Sequence, residues 1–154
     1  MPDDDELEQE LREAGQLLDP VPARLMADAV EMFSWRAIDA ELAELAFDSA
    51  GAQAAAAVRG AEPPRLLTFE AAELSIELEL TGTAAEREIT GRLIPAQRAG
   101  IEIRLGGQRL TATADVLGRF AVTAAGSGPI SLRFRLEGPD GPDARQIVTE
   151  WVTG

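Results

Sequence analysis

The chain contains no cysteine and no histidine, and its 154 residues also include no lysine, tyrosine or asparagine. Disulfides, thiolate nucleophiles and the usual nitrogen and sulfur ligands of transition metals are therefore excluded. The absence of lysine removes Schiff-base chemistry, and no glycine-rich phosphate loop precedes a helix. The remaining carboxylates fall on helix faces or alternate along strands, where solvation explains them. We therefore expect a protein that is not an enzyme, with no catalytic residues and with neither a metal nor a cofactor.

Long apolar runs are also missing from this sequence. No stretch approaches the ~18 apolar residues of a membrane span, and the N-terminal sequence MPDDDELEQE lacks the cationic and apolar regions of a secretory signal. Hydrophobic residues make up 45% of the chain and charged residues 27%, which is typical of a folded globular protein. We expect a cytoplasmic protein that does not associate with membranes.

Positive charge is scarce in the N-terminal third of the chain. The net charge is −13, and residues 1–60 hold 14 acidic and 4 basic residues, whereas residues 61–154 hold 13 and 10. An acidic surface repels phosphates, so nucleic acid is not an expected partner. A basic protein would instead be attracted to this part of the chain.

Residues 1–50 have the period of amphipathic helices. In DDELEQELREAGQLLD, apolar residues recur at steps of three and four. Pro20 and Pro22 then interrupt the pattern, and a second helix is predicted from Ala23 to about Ser49. Its apolar residues follow two tracks that are offset around the helix. The first track contains Met26, Val30 and Phe33 and is assigned to helix packing, and the second contains Trp35, Ile38, Leu42 and Leu45. The offset predicts a break or bend near Ser34, a suitable N-cap.

The apolar period changes from helical to alternating after a proline-rich boundary. AQAAAAVRGAEPPR has the composition of a linker, because Pro-Pro ends any helix before it. Beyond it, ELSIELEL, IEIRL and several further short segments alternate apolar and polar residues between glycine-rich turns. The pattern predicts an α+β fold, in which N-terminal helices precede an antiparallel β-sandwich of seven or eight strands. The predicted parts are an acidic helical segment at 1–50, a linker at 51–65 and the sandwich at 66–154.

The stretch DVLGRFAV, residues 115–122, resembles a turn of the carboxypeptidase regulatory-like, or transthyretin-like, β-sandwich family. In that family an acidic residue, a glycine and an aromatic residue lead from one strand into the next, and the resemblance extends over roughly residues 89–138. Gly118 would supply the turn backbone and Phe120 would re-enter the core. The resemblance implies a fold and is nearly silent on function, because such sandwiches serve as spacers or docking modules.

Most of the chain also resembles small acidic proteins of high-GC bacteria that are encoded beside extracytoplasmic-function sigma factors and caspase-like CHAT proteins. The resemblance is carried by DPVPARLMADAVEMFSWRAIDAELAELAFDS, RLLTFEAAELSIELEL and the terminal TEWVTG. It implies a regulatory, anti-sigma-like adaptor whose acidic N-terminal helices bind a sigma factor. The acidic charge and the aromatic and arginine residues of this region agree with a protein interface.

The candidate partner-binding residues lie on or beside the second apolar track. They are Trp35, Arg36, Asp39, Glu41, Leu42 and Leu45. An apolar stripe of this kind packs within its own domain more often than against a partner, so both interpretations stay open.

Two alternative functions remain from the sequence. In the first, a CHAT-type protease cuts the 51–65 linker, with Arg59 and Gly60 as the candidate cleavage position. In the second, the chain is a structural β-sandwich module that associates through an edge strand or through the helices. The oligomeric state is left open.

Overall fold

The computed structural model describes residues 9, 22–35, 39–53, 63–83, 85–137 and 145–153. The chain divides into two compact units, Met1–Ala37 and Ile38–Gly154. In the first unit, helix α1 runs over Ala23–Trp35. Its first turn is closed by the carbonyl of Pro22, which accepts hydrogen bonds from the backbone N–H groups of Leu25 and Met26.

The described part of the second unit consists of one short helix and ten strands. Helix α2 covers Ala50–Gln53 and separates the first two strands. The strands are β1 (Glu41–Asp48), β2 (Arg65–Ala71), β3 (Leu74–Gly82), β4 (Arg87–Ile94), β5 (Ala99–Leu105), β6 (Gln108–Ala114), β7 (Arg119–Ala124), β8 (Pro129–Leu136), β9 (Gln146–Thr149) and β10 (Val152–Thr153).

The ten strands form one sheet. Its order is β6-β5-β8-β9-β1-β2-β3-β4-β7, and β10 pairs with β8 beside this path. The two end strands, β6 and β7, follow each other in the chain and lie against each other, so the sheet nearly closes into a barrel. All pairings are antiparallel except that of β1 with β9, which is parallel.

Alternating apolar side chains fill the interior of this nearly closed sheet. In β3, the residues Leu74, Ile76, Leu78 and Leu80 are buried while the residues between them face outward, as the period of two predicts. Side chains from both halves of the sheet meet in the core: the rings of Phe120 on β7 and Phe134 on β8 pack edge to face with centroids 5.8 Å apart.

The turn between β6 and β7 has the predicted construction. Gly118 has a φ of +74°, and a Cβ atom there would lie 2.7 Å from the carbonyl oxygen of Leu93, so only glycine fits without strain. The carboxylate of Asp115 accepts hydrogen bonds from the backbone N–H groups of Leu117 and Arg119 at 2.8 and 2.9 Å. Phe120 is buried one residue later, so this local prediction is confirmed.

The predicted fold class is wrong. The protein is mainly β, with one ten-stranded sheet instead of N-terminal helices followed by a separate sandwich. The largest difference concerns residues 41–48, which were expected to be helical and instead form strand β1 inside the sheet. The first predicted helix, before Pro20, lies outside the described residues except for residue 9.

A β-bulge explains why strand β1 has a misleading apolar period. Leu45 pairs with Phe69 of β2, and Phe47 pairs with the next residue, Thr68, so Ala46 is an additional residue in β1. A bulge breaks the alternation of a strand, and the apolar residues of ELAELAFD then fall at helix-like spacing. The backbone of β1 is nevertheless paired along most of its length, with β9 at residues 41–43 and with β2 at Glu44, Leu45, Phe47 and Asp48.

Strand β1 changes partner at its centre with the help of a carboxylate. The carbonyl of Ala43 accepts a hydrogen bond from the backbone N–H of Glu150 at 3.0 Å. The carboxylate of Glu150 in turn accepts one from the N–H of Leu45 at 2.8 Å. The backbone groups of β1 beyond the end of its pairing with β9 thus keep hydrogen-bond partners. Buried backbone groups require such partners.

Candidate functional site

The predicted partner-binding residues are not brought together on one helical face. Trp35 is the last residue of α1, with its side chain outside the description, and Arg36 lies in the undescribed residues that follow. Asp39 is exposed before β1. The other three residues belong to β1 of the second unit. The prediction that Trp35, Leu42 and Leu45 form a single stripe on one helix is therefore wrong.

Glu41 forms ion pairs and hydrogen bonds within the sheet. Its carboxylate lies 2.6 Å from a guanidinium nitrogen of Arg145, which also contacts Glu73 at 3.1 Å. The same carboxylate accepts a hydrogen bond from the backbone N–H of Ala72 at 2.8 Å. The hydrogen bond from Arg145, followed by that from Ala72, lowers the pKa of Glu41. These contacts hold the start of β1 against neighbouring loops, which is a structural role.

Leu42 and Leu45 lie at positions of different exposure along β1. Leu45 is half-buried and packs against the core, with Phe69 as its partner across the pair with β2. Leu42 is 39% exposed and pairs with Val148 of β9. Between them, Ala43 is fully buried. The strand therefore places Ala43 and Leu45 against the core, whereas Leu42 and also Phe47, which is 49% exposed, remain partly open to solvent.

Helix α1 carries an apolar face that is open to solvent. At 100° per residue, four of its large apolar residues fall within an arc of about 140°. We call them the α1 face: Leu25, Met26, Val30 and Phe33. Their exposed fractions run from 52% at Leu25 to 80% at Phe33. The sequence predicts this track but assigns it to helix packing. The spacing of apolar residues shows that a helix is amphipathic, but it does not show what covers the apolar side.

The part of the sequence that contains the α1 face is acidic. Residues 1–37 hold 10 acidic and 3 basic residues, a net charge of −7, whereas the much longer remainder of the chain has a net charge of −6. The described residues of α1 offer no compensating charge at the helix ends, since the first turn has no acidic residue and the last turn no basic one. A protein that offers an apolar groove with basic residues at its rim would therefore bind this helix favourably.

The described part of the chain contains no group of three or more acidic side chains that could hold a metal ion. No helix in this part is long and apolar enough to cross a membrane. The candidate cleavage position, Arg59 and Gly60, lies outside the described residues, so cleavage of the 51–65 linker stays a prediction.

Fold and surface together define a β-sheet domain in a chain that also carries an amphipathic helix with an exposed apolar face. Comparisons with protein-family models, with curated proteins and with solved structures find no match for the chain. The two resemblances noted in the sequence therefore stay predictions.

Proposed function

We propose that this chain is a non-enzymatic regulatory adaptor of the cytoplasm that binds a protein partner through the α1 face. The observation that carries the proposal is the exposure of four large apolar side chains on one side of a single helix, with Phe33 80% exposed. Contiguous exposed apolar surface is unfavourable in water and marks interaction sites in soluble proteins.

The spacing of the α1 face suits insertion of the helix into a groove. Met26, Val30 and Phe33 follow one another at steps of four and three residues, the pattern of anchor residues in helix-in-groove recognition. A 13-residue helix is marginally stable alone, so burial of this face would also stabilise the helix itself.

The partner that we propose is an extracytoplasmic-function sigma factor. The choice rests on the sequence resemblance to proteins encoded beside such factors and on charge. A DNA-binding protein presents basic surface, which the net charge of −7 in residues 1–37 would attract. The acidic segment supplies fast association, and the α1 face supplies the apolar contact.

The test is calorimetric titration of the purified chain with an extracytoplasmic-function sigma factor from the same genome. The double variant Met26→Ser/Phe33→Ser is expected to bind at least about 30-fold more weakly, because the loss of two anchors costs about 2 kcal/mol or more. Its unfolding transition should match that of the unchanged chain, since both side chains are exposed.

The matched control is Val116→Ser/Leu117→Ser, which removes two exposed apolar side chains of the β6–β7 turn instead. This control should bind like the unchanged chain. If the helix variant also binds normally, the α1 face is the wrong surface. If the unchanged chain does not bind, the sigma factor is the wrong partner.

A further inference from the structure

The outer face of strands β5, β6 and β8 gathers arginines in an otherwise acidic protein. The inward residues of these strands, such as Ile103 and Leu132, are fully buried in the core. Residues paired across neighbouring strands share a face, and the register places Glu102 beside Thr111 and Arg133. We call the charged residues of this outer side the arginine face: Glu102, Arg104, Arg109, Arg133 and Arg135.

The arginine face has a net charge of +3, whereas the whole chain has a net charge of −13. Its one carboxylate, on Glu102, forms an ion pair with Arg109 at 3.0 Å. Burial is the main cause that lowers the pKa of Arg133; Glu102 opposes the shift, while Arg135, Arg104 and Arg109 add to it. Arg133 is thus close enough to the other three arginines to be repelled by them, and an added anion would weaken this repulsion.

A depression lies in the middle of this face, above Gly100. Gly100 is paired with Arg135 on one side and with Thr113 on the other. The depression has a volume of about 240 Å³, and Glu102, Thr111, Arg133 and Arg135 are among the residues that line it. A Cβ atom at Gly100 would have no neighbour closer than 3.9 Å. The glycine is therefore not required by the backbone packing, and its effect is to leave this space open.

We propose that the depression above Gly100 binds a small oxyanion ligand, through phosphate or carboxylate oxygens held by Arg133 and Arg135. Guanidinium groups donate paired hydrogen bonds that match the oxygen spacing of both anions, and the hydroxyl of Thr111 is a further donor at the wall. The volume of the depression suits a molecule of the size of pyrophosphate or citrate.

A long polyanion such as nucleic acid fits this face less well. Charges in solution are screened beyond about 8 Å at physiological salt, so a small ligand responds mainly to the nearby arginines. An extended polyanion would also approach the acidic remainder of the surface, which repels it. The depression lies on strands β5, β6 and β8 and shares no residue with the α1 face, so either proposal can fail without the other.

The test is calorimetric titration of the full chain at about 0.15 M salt with pyrophosphate, citrate and a hexaglutamate peptide. Binding of pyrophosphate alone would assign a phosphate ligand, and binding of citrate alone would assign a small carboxylate. We expect pyrophosphate or citrate to bind with a Kd below about 1 mM. If both bind more weakly, or if only the peptide binds, the proposal of a small ligand is wrong.

Two variants locate the site. Arg135→Gln removes one of the two proposed guanidinium donors, and Gly100→Val fills the depression without changing any charge. Each should weaken binding of the active probe at least about 10-fold. Arg92→Gln removes an exposed arginine of β4, in another part of the sheet, and should leave binding unchanged. Equal binding by Gly100→Val and the unchanged chain, with both folded, would overturn the proposal.

Discussion

Helix α1 and strand β1 lie close together in the sequence, and both have apolar residues at steps of three or four. In α1 the apolar side chains are exposed, and the helix satisfies its hydrogen bonds within itself. In β1 the side chains of Ala43 and Leu45 pack against the core while Leu42 and Phe47 are 39% and 49% exposed, and the backbone is paired with β9 and β2. The difference shows that apolar spacing reports an amphipathic segment, whereas available backbone partners decide whether it becomes a helix or a strand.

The largest predicted difference in stability is between a substitution in the core beside β1 and the same substitution at an exposed position of α1. Phe69, the partner of Leu45 across β1 and β2, is 1% exposed, whereas Phe33 on α1 is 80% exposed. Phe69→Ala should lower the free energy of unfolding by about 3–5 kcal/mol, because it leaves a cavity in the core. Phe33→Ala should change it by less than about 0.5 kcal/mol.

Urea unfolding followed by circular dichroism measures both changes. Phe33→Ala serves as the matched control, since it makes the same substitution at an exposed position. Equal destabilisation by the two variants would mean that the α1 face is buried in solution, which would also remove the basis of the proposed adaptor function.

A second, smaller effect concerns the ion pair that anchors the end of β1. The carboxylate of Asp48 accepts hydrogen bonds from Arg65 at 3.0 and 2.6 Å, and from the N–H of Ala50 at 2.9 Å. Arg65 also donates to the carbonyl of Thr153. The hydrogen bonds from Arg65 are the main cause of the lowered pKa of Asp48. Asp48→Asn should lower the free energy of unfolding by about 1 kcal/mol at neutral pH.

The pH dependence of this cost has a definite sign. Because the folded-state pKa of Asp48 lies below the unfolded value of about 3.9, its stabilisation is present above that pH and is lost as pH falls through the folded-state pKa. The difference between the unfolding free energies of the unchanged chain and Asp48→Asn should therefore shrink below about pH 4.

The control for the ion pair is Glu77→Gln. It breaks the pair of Glu77 with Arg92, whose side chains are 45% and 56% exposed, and exposed pairs contribute little. At neutral pH, Glu77→Gln should lower the free energy of unfolding clearly less than Asp48→Asn does. A pH-independent cost of Asp48→Asn would show that the ion pair does not anchor β1.

The smallest predicted effect concerns helix α1. Arg24 stands in the first turn of α1, where the helix dipole favours negative charge. Arg24→Glu should stabilise α1 by about 0.5 kcal/mol without changing the unfolding transition of the sheet. Carbon chemical shifts of residues 23–35 report helix content residue by residue. A decrease in helix content would contradict the assignment of these residues to an amphipathic helix.

Local patterns predicted the parts of the sheet that have regular alternation. The buried set of β3 and the turn at Gly118 were recognisable because each depends on a few neighbouring residues. Strand β1 was not recognised, since its bulge at Ala46 disguises the period of two. The arginine face was missed for a different reason: its arginines come from three strands, and only the pairing of β5 with β6 and β8 places them together.

The sequence alone determined the chemistry that this protein lacks, the acidic N-terminal third, the alternating strands beyond residue 65 and the amphipathic character of residues 23–35. These properties follow from composition or from contacts between near neighbours. Tertiary structure decided that residues 41–48 form a strand, that the α1 face is exposed and that Arg133 and Arg135 line one open depression. Each of these depends on backbone pairing or burial between residues distant in sequence, which a local period does not encode.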